Sequence, residues 1–251
     1  MTVREIYEYI NILAPFDKAE SWDNSGFLVG NGEREVKKAV ICLDVTSREV
    51  SFAIKENAEL IISHHPVIFR AQKKFTSEDI SYYAAVNGIS IISAHTNLDK
   101  AVGGVNDSLC DALGFSYTKC DESLCDGFLN VLKTETPMSP SGFAAFVKNT
   151  LGGAVSYIDG GRMVEKVGVC SGAGADFIKQ AASLGCDAFL TGEASYHEFL
   201  DASADGISLF AAGHYETEAV VVNRLAEKLR KKFSEITFLE FTPGSVIITE
   251  N

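Results

Sequence analysis

The sequence predicts an α/β fold in which two related lobes carry mainly parallel sheets flanked by helices. Short, continuously apolar segments such as residues 39–43 and 60–62 are typical of strands that are buried on both faces. Helical patterns alternate with these segments, which indicates parallel strands joined by crossover helices. The whole pattern occurs twice in the 251 residues, so we infer an internal duplication.

Both halves show strand and helix signals in the same order. The first half contains an amphipathic helix at 2–13, a turn-rich loop at 21–26, strands at 39–43, 60–62 and 89–92, and helices at 46–57 and 78–87. The second half contains strands at 167–170, 188–190, 207–210 and 236–241, and helices at 175–184, 195–203 and 216–232. A connector at 115–160 carries a helix at 141–151. We expect two lobes, residues 1–115 and 116–251, interleaved in one compact unit.

The charge balance narrows the possible partners. The chain has 22 Lys and Arg against 34 Asp and Glu, a net charge of −12, whereas nucleic-acid binders usually present a basic face. A small-molecule or cation partner is therefore expected, and a local basic groove stays open as an alternative. No apolar run approaches the ~18 residues that cross a bilayer. Six cysteines without a Cys-x-x-Cys pair favour a reducing cytoplasm, with metal binding or oxidation as alternatives for Cys120 and Cys125.

Histidines follow the predicted strands, where open α/β sheets bind their ligands. His64 and His65 come directly after the second strand. Neighbouring side chains of a strand point to opposite faces, but a turn at Pro66 could let both imidazoles face one cavity. The alternative is a pair of partly buried, hydrogen-bonded histidines without a ligand.

Carboxylates follow two other strands. Asp99 is separated from the next predicted helix by Gly103 and Gly104, which weakens a helix-capping role and leaves its carboxylate for a cation. His214 and Glu218 are four residues apart and would share one side of a helix. Glu218 could instead stabilise a helix N-terminus only.

Together these positions favour a divalent metal site. Four of the five histidines lie just past predicted strands, and the fifth, His197, lies four residues after Glu193. Mixed imidazole and carboxylate ligands suit zinc, manganese, iron or cobalt. Five ligands exceed the needs of one catalytic zinc, whereas two ions ~3.5–4 Å apart that share a carboxylate would use them all.

Other polar residues at the strand ends have supporting roles in this prediction. His95 and His197 are candidates for catalytic proton transfer, or for orienting a metal ligand. Asp44 could orient a ligand or a water. The glycine-rich residues 171–174 could bind a phosphate at a helix start, although such a sequence is more often a tight strand–helix turn.

Five motifs occur in order along nearly the whole chain. They are Trp22-Asp23-Asn24-Ser25-Gly26, Ser63-His64-His65-Pro66, His95-Thr96-Asn97-Leu98-Asp99 with Gly103-Gly104-Val105-Asn106-Asp107, Thr191-Gly192-Glu193, and Ala212-Gly213-His214-Tyr215 followed by Glu218. With them the sequence resembles the Nif-three-like dinuclear metal-centre family, also called the GTP cyclohydrolase I type 2 family. Residues 127–133 lack the Gly- and Arg-rich element expected there, which leaves substrate and partner specificity open.

The resemblance implies a set of metal ligands, with Glu218 as the bridge between two ions. The implied ligands are His64, His65, Asp99, His214 and Glu218. The resemblance also implies a metal site between two related lobes, a toroidal homohexamer, and the short form of the family without an inserted domain.

The leading functional hypothesis is a dinuclear-metal-dependent hydrolase that acts on a nucleotide-like small molecule. The GTP cyclohydrolase name of the resembled family suggests water attack on a guanine ring, but the sequence has no Gly-x-x-x-x-Gly-Lys loop that would select GTP. Two other classes would use the same residues. One is a metal-binding or metal-chaperone protein without turnover, and the other is an interaction scaffold with a structural metal site.

Overall fold

The computed structural model describes residues 1–120 and 122–247 and contains two β-sheets with flanking helices. The helices are α1 (Val3–Leu13), α2 (Ser47–Glu56), α3 (Ile80–Val86), α4 (Thr96–Lys100), α5 (Val105–Leu113), α6 (Glu122–Cys125), α7 (Pro140–Leu151), α8 (Ile178–Ser183), α9 (Tyr196–Asp205), α10 (His214–Glu218) and α11 (Val220–Lys232). The strands are β1 (Gly26–Val29), β2 (Lys38–Cys42), β3 (Leu60–Ser63), β4 (Ser90–Ser93), β5 (Ser116–Lys119), β6 (Asn130–Met138), β7 (Ser156–Ile158), β8 (Val164–Val169), β9 (Ala188–Thr191), β10 (Ser208–Ala211) and β11 (Thr237–Phe241).

The chain divides into two compact units whose boundaries differ from the expected lobes 1–115 and 116–251. Unit 1 consists of Met1–Gly104 and Val222–Pro243, and unit 2 consists of Val105–Val221 with residues 244–247. The main cause is β11, which was expected to end the second lobe. It pairs in parallel with β2 and therefore completes the sheet of unit 1.

Unit 1 is built on a five-stranded sheet with the order β1-β4-β3-β2-β11. The strands β4, β3, β2 and β11 are parallel, and β1 adds an antiparallel edge. Side chains on both faces of the central strands are buried, as expected for a parallel sheet covered by helices. Helix α2 begins at a capping box in which Thr46 and Glu49 each accept from the other's backbone N–H.

Unit 2 contains a six-stranded sheet with the order β5-β6-β8-β9-β10-β7. Only β8, β9 and β10 are parallel, and β5, β6 and β7 pair antiparallel, so this sheet is mixed. The antiparallel strands come from residues 115–160, which the sequence analysis interpreted as a connector with one helix. Their burial is alternating or slight, and this is why they lack the continuous apolar signal of a central strand.

The parallel strands of each sheet end at one edge. In unit 1, Cys42 of β2 pairs with Ser63 of β3, and Ser63 pairs with Ser93 of β4. The hydroxyl oxygens of Ser63 and Ser93 lie 2.8 Å apart in a hydrogen bond at this edge. The residues that follow these strands are therefore brought side by side, as the sequence analysis expected.

The structure also bears on the helix predicted at 216–232 and on the alternatives for Cys120 and Cys125. The helix predicted at 216–232 is two helices, α10 and α11, and α10 begins at His214. Cys120 and Cys125 form a disulfide, the oxidation alternative, while the other four cysteines are buried thiols. Among the residues that the structure describes, no helix is both long and apolar enough to cross a membrane.

Candidate metal centre

His64 and His65 lie in a turn at the carboxyl end of β3. Their backbone N–H groups still donate to the carbonyl oxygens of Cys42 and Leu43, at 3.2 and 2.9 Å. The Ser63 hydroxyl donates to the carbonyl oxygen of His65 at 2.8 Å, which holds the turn. The two rings lie with their centroids 4.9 Å apart, so both imidazoles are on the same side despite being neighbours in sequence.

Each of these rings points its Nδ1 atom at an oxygen. Nδ1 of His64 lies 2.9 Å from the carbonyl oxygen of Ala94, and Nδ1 of His65 lies 2.7 Å from Oδ1 of Asp44. Because these oxygens accept hydrogen bonds, Nδ1 carries the proton and the lone pair of each neutral ring is on Nε2. Metal-ligating histidines usually show this arrangement, in which the second nitrogen is fixed by an oxygen partner.

Asp99 lies on the short helix α4, which follows β4. Its Oδ1 atom lies 3.6 Å from Nε2 of His64, and both side chains are largely buried. That separation is too long for a hydrogen bond between the two atoms. It matches two ligand atoms that share one ion, each about 2.0–2.2 Å from the metal. The donor chemistry of unit 1 thus fits a divalent cation.

His95 lies beside the same pair of histidines. Its ring centroid is 5.1 Å from that of His64 and 5.5 Å from that of His65. One ring nitrogen from each of the three lies within 4.8 Å of the others, a grouping that could hold a metal ion. Nδ1 of His95 lies 2.8 Å from Oδ1 of Asp23, a residue in the turn-rich loop before β1.

Asp23 is a fully buried carboxylate. Burial by itself would raise the pKa of this carboxyl, but hydrogen bonds from His95, Thr96 and Ser25 outweigh burial and hold the pKa well below its usual range. The Asp23 side chain is therefore ionised at neutral pH. In the sequence Asp23 stands out only as part of the first motif, and no local signal connects it to His95, 72 residues away.

In unit 2, His214 and Glu218 are the first and last residues of α10. Nε2 of His214 lies 3.0 Å from Oε2 of Glu218, as the i, i+4 spacing predicted, and Nδ1 lies 3.4 Å from Oε1 of Glu193. Glu218 is only 4% exposed. An imidazole and a buried carboxylate on one side of a helix are a suitable pair of metal ligands.

Residues 171–174 form a tight turn after β8 rather than a phosphate cradle. The backbone N–H groups of Ser171, Gly172 and Gly174 donate to side-chain oxygens, at 2.7, 3.1 and 3.0 Å. Their acceptors are Asn106 Oδ1, Thr217 Oγ1 and Thr191 Oγ1. The amides that would hold a phosphate are therefore already used within the fold.

His197, in unit 2, belongs to none of the side-chain groups among the described residues that could hold a metal ion. It is an exposed residue in the first turn of α9, and its ring contacts that of Tyr196 at 6.2 Å between centroids. Its nearest capping interactions belong to Ser195 and Glu198, which form the capping box of α9. Within the described part of the chain, no buried partner orients the His197 ring, in contrast to His95.

Comparison with known proteins identifies the family. A family model described as Duf34/NIF3 (NGG1p interacting factor 3) matches residues 1–244. The chain belongs to the Duf34/NIF3 family. The resemblance inferred from the five motifs is thereby confirmed.

Relatives within the NIF3 family match over most of their length. A Clostridium perfringens protein named GTP cyclohydrolase 1 type 2 homolog is 31% identical over 250 residues, which is 95% of each chain. A Helicobacter pylori protein named GTP cyclohydrolase 1 type 2 is 33% identical over 221 residues, which is 86% of each chain. The crystal structure of the Staphylococcus aureus hypothetical protein SA1388 has a TM-score of 0.89 at 26% identity, covering 98% of this chain and 99% of that chain. The predicted α/β fold class is therefore confirmed.

Proposed function

We propose that this NIF3-family chain is a dinuclear-metal-dependent hydrolase that acts on a nucleotide-like small molecule. The observation that supports this best is the orientation of the imidazoles. His64, His65 and His95 each hold Nδ1 against an oxygen and present Nε2, which is the pattern of metal-ligating histidines. The proposed ligands are His64, His65, Asp99, His214 and Glu218, with Glu218 as the bridging carboxylate that the family resemblance implies.

The donor set indicates which ions would fit. Imidazole nitrogens with carboxylate oxygens suit zinc, manganese, iron or cobalt, and we propose two such ions, without selecting the native metal. Bound divalent ions would supply Lewis acidity, which lowers the pKa of a water toward ~7 and polarises the attacked group. The protein side chains would hold the ligands in place and move protons.

Two histidines are proposed for proton transfer, and their surroundings differ. His95 is held by the buried Asp23 beside the ligand histidines, whereas His197 is exposed. An imidazole can transfer a proton near neutral pH, but it contributes to catalysis only if it reaches the reacting group. His95, which lies beside the ligand histidines, could therefore either transfer a proton or bind an ion. His197, which is exposed, could exchange protons with solvent.

A cavity in unit 2 supports a small-molecule substrate. It has a volume of about 580 Å³ and is lined by Ala173, Gly192, Glu193, Phe199 and Gly213, among others. Ligand pockets of this kind usually measure about 300–1,000 Å³. Glu193 contacts His214, and Gly213 precedes it, so the cavity lies next to a proposed metal ligand. The names of the two relatives make GTP the first nucleotide to test.

The assembly and the location of the protein are also proposals. The family resemblance implies a homohexamer, which would have a mass of six chains of 27.1 kDa each. The cysteine pattern suggested a cytoplasmic location, and the Cys120–Cys125 disulfide makes the redox state of that compartment worth measuring. Light scattering after size exclusion would test the hexamer, and a monomer at micromolar concentration would contradict it.

A measurement of metal content tests the proposed dinuclear centre. Inductively coupled plasma mass spectrometry of the purified protein should give about two ions per chain after reconstitution. The Glu218→Gln variant keeps the side-chain volume, removes the charge and should lose at least one ion. Glu227→Gln, at an exposed position of α11, is the matched control and should keep both ions.

Turnover separates an enzyme from a metal-handling protein. The reconstituted protein should change the ultraviolet absorbance of GTP or of another purine nucleotide, and Glu218→Gln should abolish that change. Two retained ions without any turnover across such a screen would contradict the hydrolase and support metal handling. Zero or one ion in both the protein and the Glu218→Gln variant would contradict the dinuclear centre itself.

A further inference from the structure

The loop before β1 contains a buried carboxylate, Asp23, that is not among the proposed metal ligands. Asp23 has no exposed side-chain surface. A buried charge is costly unless it is fully hydrogen-bonded. Oδ1 of Asp23 accepts from the backbone N–H of Asn24 at 2.7 Å and from Nδ1 of His95 at 2.8 Å. The hydrogen bond from His95 is therefore one of the contacts that offset the free-energy cost of burying the Asp23 carboxylate.

The second oxygen of Asp23 ties the loop to the start of α4. Oδ2 accepts from the Ser25 hydroxyl at 2.7 Å, from the Thr96 hydroxyl at 2.6 Å and from the Thr96 backbone N–H at 3.1 Å. The Ser25 hydroxyl also lies 3.1 Å from the backbone nitrogen of His95 and accepts from it. Helix α4 has no cap from its own N-cap side chain, so Asp23 supplies that role from a distance of 73 residues in sequence.

These contacts fix the tautomer of His95. The ionised carboxylate of Asp23 only accepts hydrogen bonds, so Nδ1 of His95 carries a proton and the lone pair of the neutral ring is on Nε2. His64 and His65 have the same tautomer for the same reason, with Ala94 and Asp44 as acceptors. Three adjacent imidazoles therefore present the same kind of nitrogen.

The rings of His64, His65 and His95 form a group that could hold a metal ion. One ring nitrogen from each lies within 4.8 Å of the others. Two imidazole ligands of a tetrahedral ion are roughly 3.3–3.5 Å apart, given metal–nitrogen distances of about 2.0–2.1 Å. Nitrogens within 4.8 Å of one another would have to approach by up to about 1.5 Å to reach that geometry.

Two aromatic side chains, Trp22 and Phe69, lie next to His95. The ring of Trp22 meets the His95 ring edge-on at 6.1 Å between centroids, and that of Phe69 does so at 6.2 Å. The His95 side chain is 15% exposed, and apolar groups around a metal site control the access of solvent to its ligands.

We propose that His95 is a further metal ligand, acting through Nε2 beside His64 and His65, and that Asp23 is the positioning residue that sets its tautomer. This rests on the proposed metal centre and assigns His95 a ligand role in place of proton transfer. It also gives the Trp22-Asp23-Asn24-Ser25-Gly26 motif a role. Through Asp23, the motif orients one ligand histidine by a hydrogen bond to Nδ1, the ring nitrogen that does not bind the metal.

Nitrogen NMR of the histidine rings tests the positioning role in the metal-free protein. The Nδ1 signal of His95 should be that of a protonated nitrogen, and that of Nε2 should be unprotonated. In Asp23→Asn the amide can donate to Nδ1, so the proton of His95 should move to Nε2. The exposed His197 is an internal control that should not change. A His95 tautomer that is the same in both proteins would overturn the positioning role.

Metal affinity, measured by competition with a chelator, tests the ligand role. His95→Ala should weaken the binding of zinc or cobalt by at least about tenfold, and Asp23→Asn by about 10–100-fold. The visible absorption of bound cobalt should change in His95→Ala, because the number of nitrogen ligands falls. His197→Ala is the matched histidine control and should bind as the wild type does.

The outcomes separate this inference from the proposed function. If His95→Ala keeps the wild-type affinity and cobalt spectrum while Glu218→Gln loses metal, His95 is not a ligand and the dinuclear centre stands. If neither variant changes metal binding, both proposals fail. Circular dichroism of the metal-free proteins checks folding, and His95→Ala keeps the test decisive if Asp23→Asn does not fold, since it leaves the Asp23 carboxylate four hydrogen bonds.

Discussion

Gly172 lies directly against the carboxylate of Glu218. A Cβ atom at position 172 would overlap Oε1 of Glu218 and would lie 3.3 Å from Nε2 of His214. The backbone of Gly172 also has φ +58, in the left-handed region that favours glycine. The turn after β8 thus has two separate reasons for a glycine, one in the backbone and one in the proposed metal ligand.

Gly172→Ala should therefore lower both stability and metal affinity. The left-handed backbone alone costs an alanine roughly 1–2 kcal/mol, and the methyl group must displace the Glu218 carboxylate as well. Urea unfolding and chelator competition would measure the two effects. Gly185→Ala is the control, because Gly185 has φ +74 but a Cβ added there would meet no described atom within 4 Å. Equal metal affinity in the two variants would show that Gly172 does not shape the site.

Phe238→Ala should destabilise unit 1 rather than unit 2. Phe238 lies on β11, is 3% exposed, and pairs with Ala39 of β2. Removing a buried Phe side chain typically costs about 3–5 kcal/mol. Hydrogen exchange followed by mass spectrometry should show lost protection in β2 and β3, with Thr237→Ala as the exposed control. Lost protection confined to β9 and β10 would contradict the placement of β11.

The sequence predicted the candidate site best where a polar residue closely follows a predicted strand. His64 and Asp99 follow β3 and β4 in unit 1, and His214 follows β10 in unit 2. Because the parallel strands of one sheet end on the same side, the strand pattern was enough to group His64 with Asp99. The turn of His64 and His65 onto one side could not be decided from the strand pattern. It depends on the Ser63 hydroxyl bond to the His65 carbonyl, a contact without a sequence signal.

Long-range pairing accounts for what the sequence did not predict. Nothing local in residues 237–241 says that this strand pairs with β2, almost 200 positions earlier. Likewise, Asp23 and His95 are 72 residues apart, and their hydrogen bond exists only because β1 and β4 pair antiparallel. An isolated Asp in a turn-rich loop is usually a local cap, so only the fold distinguishes this one.

The acid stability of the metal-free protein should depend on Asp23. Its folded-state pKa lies below the unfolded value of about 3.9, so ionised Asp23 stabilises the fold at higher pH, and this contribution is lost as the pH falls below about 4. Asp23→Asn cannot lose that contribution. Urea unfolding at pH 6 and pH 3.5 should show a smaller loss of stability in Asp23→Asn than in the wild type.

The control for this pH comparison is Asp201→Asn, which changes an exposed carboxylate on α9. It should keep the wild-type dependence on pH. Parallel curves for all three proteins would mean that Asp23 is not ionised by its hydrogen bonds in the way the structure indicates.

The buried cysteines should be inert in the native protein. Burial raises the pKa of the Cys110 thiol to about 12 and that of Cys186 to about 11. At pH 8 the thiolate would then be about one part in 10⁴ and one part in 10³, against roughly a quarter for a free thiol with a pKa near 8.5. Since the thiolate is the reactive form, alkylation at pH 8 should be slow until the protein unfolds.

Intact mass after iodoacetamide would show four additions in denaturant, and six once Cys120 and Cys125 are also reduced. Rapid labelling of Cys186 in the native protein would show that its strand-flanking site opens to solvent, whereas six additions without reduction would show that Cys120 and Cys125 are thiols.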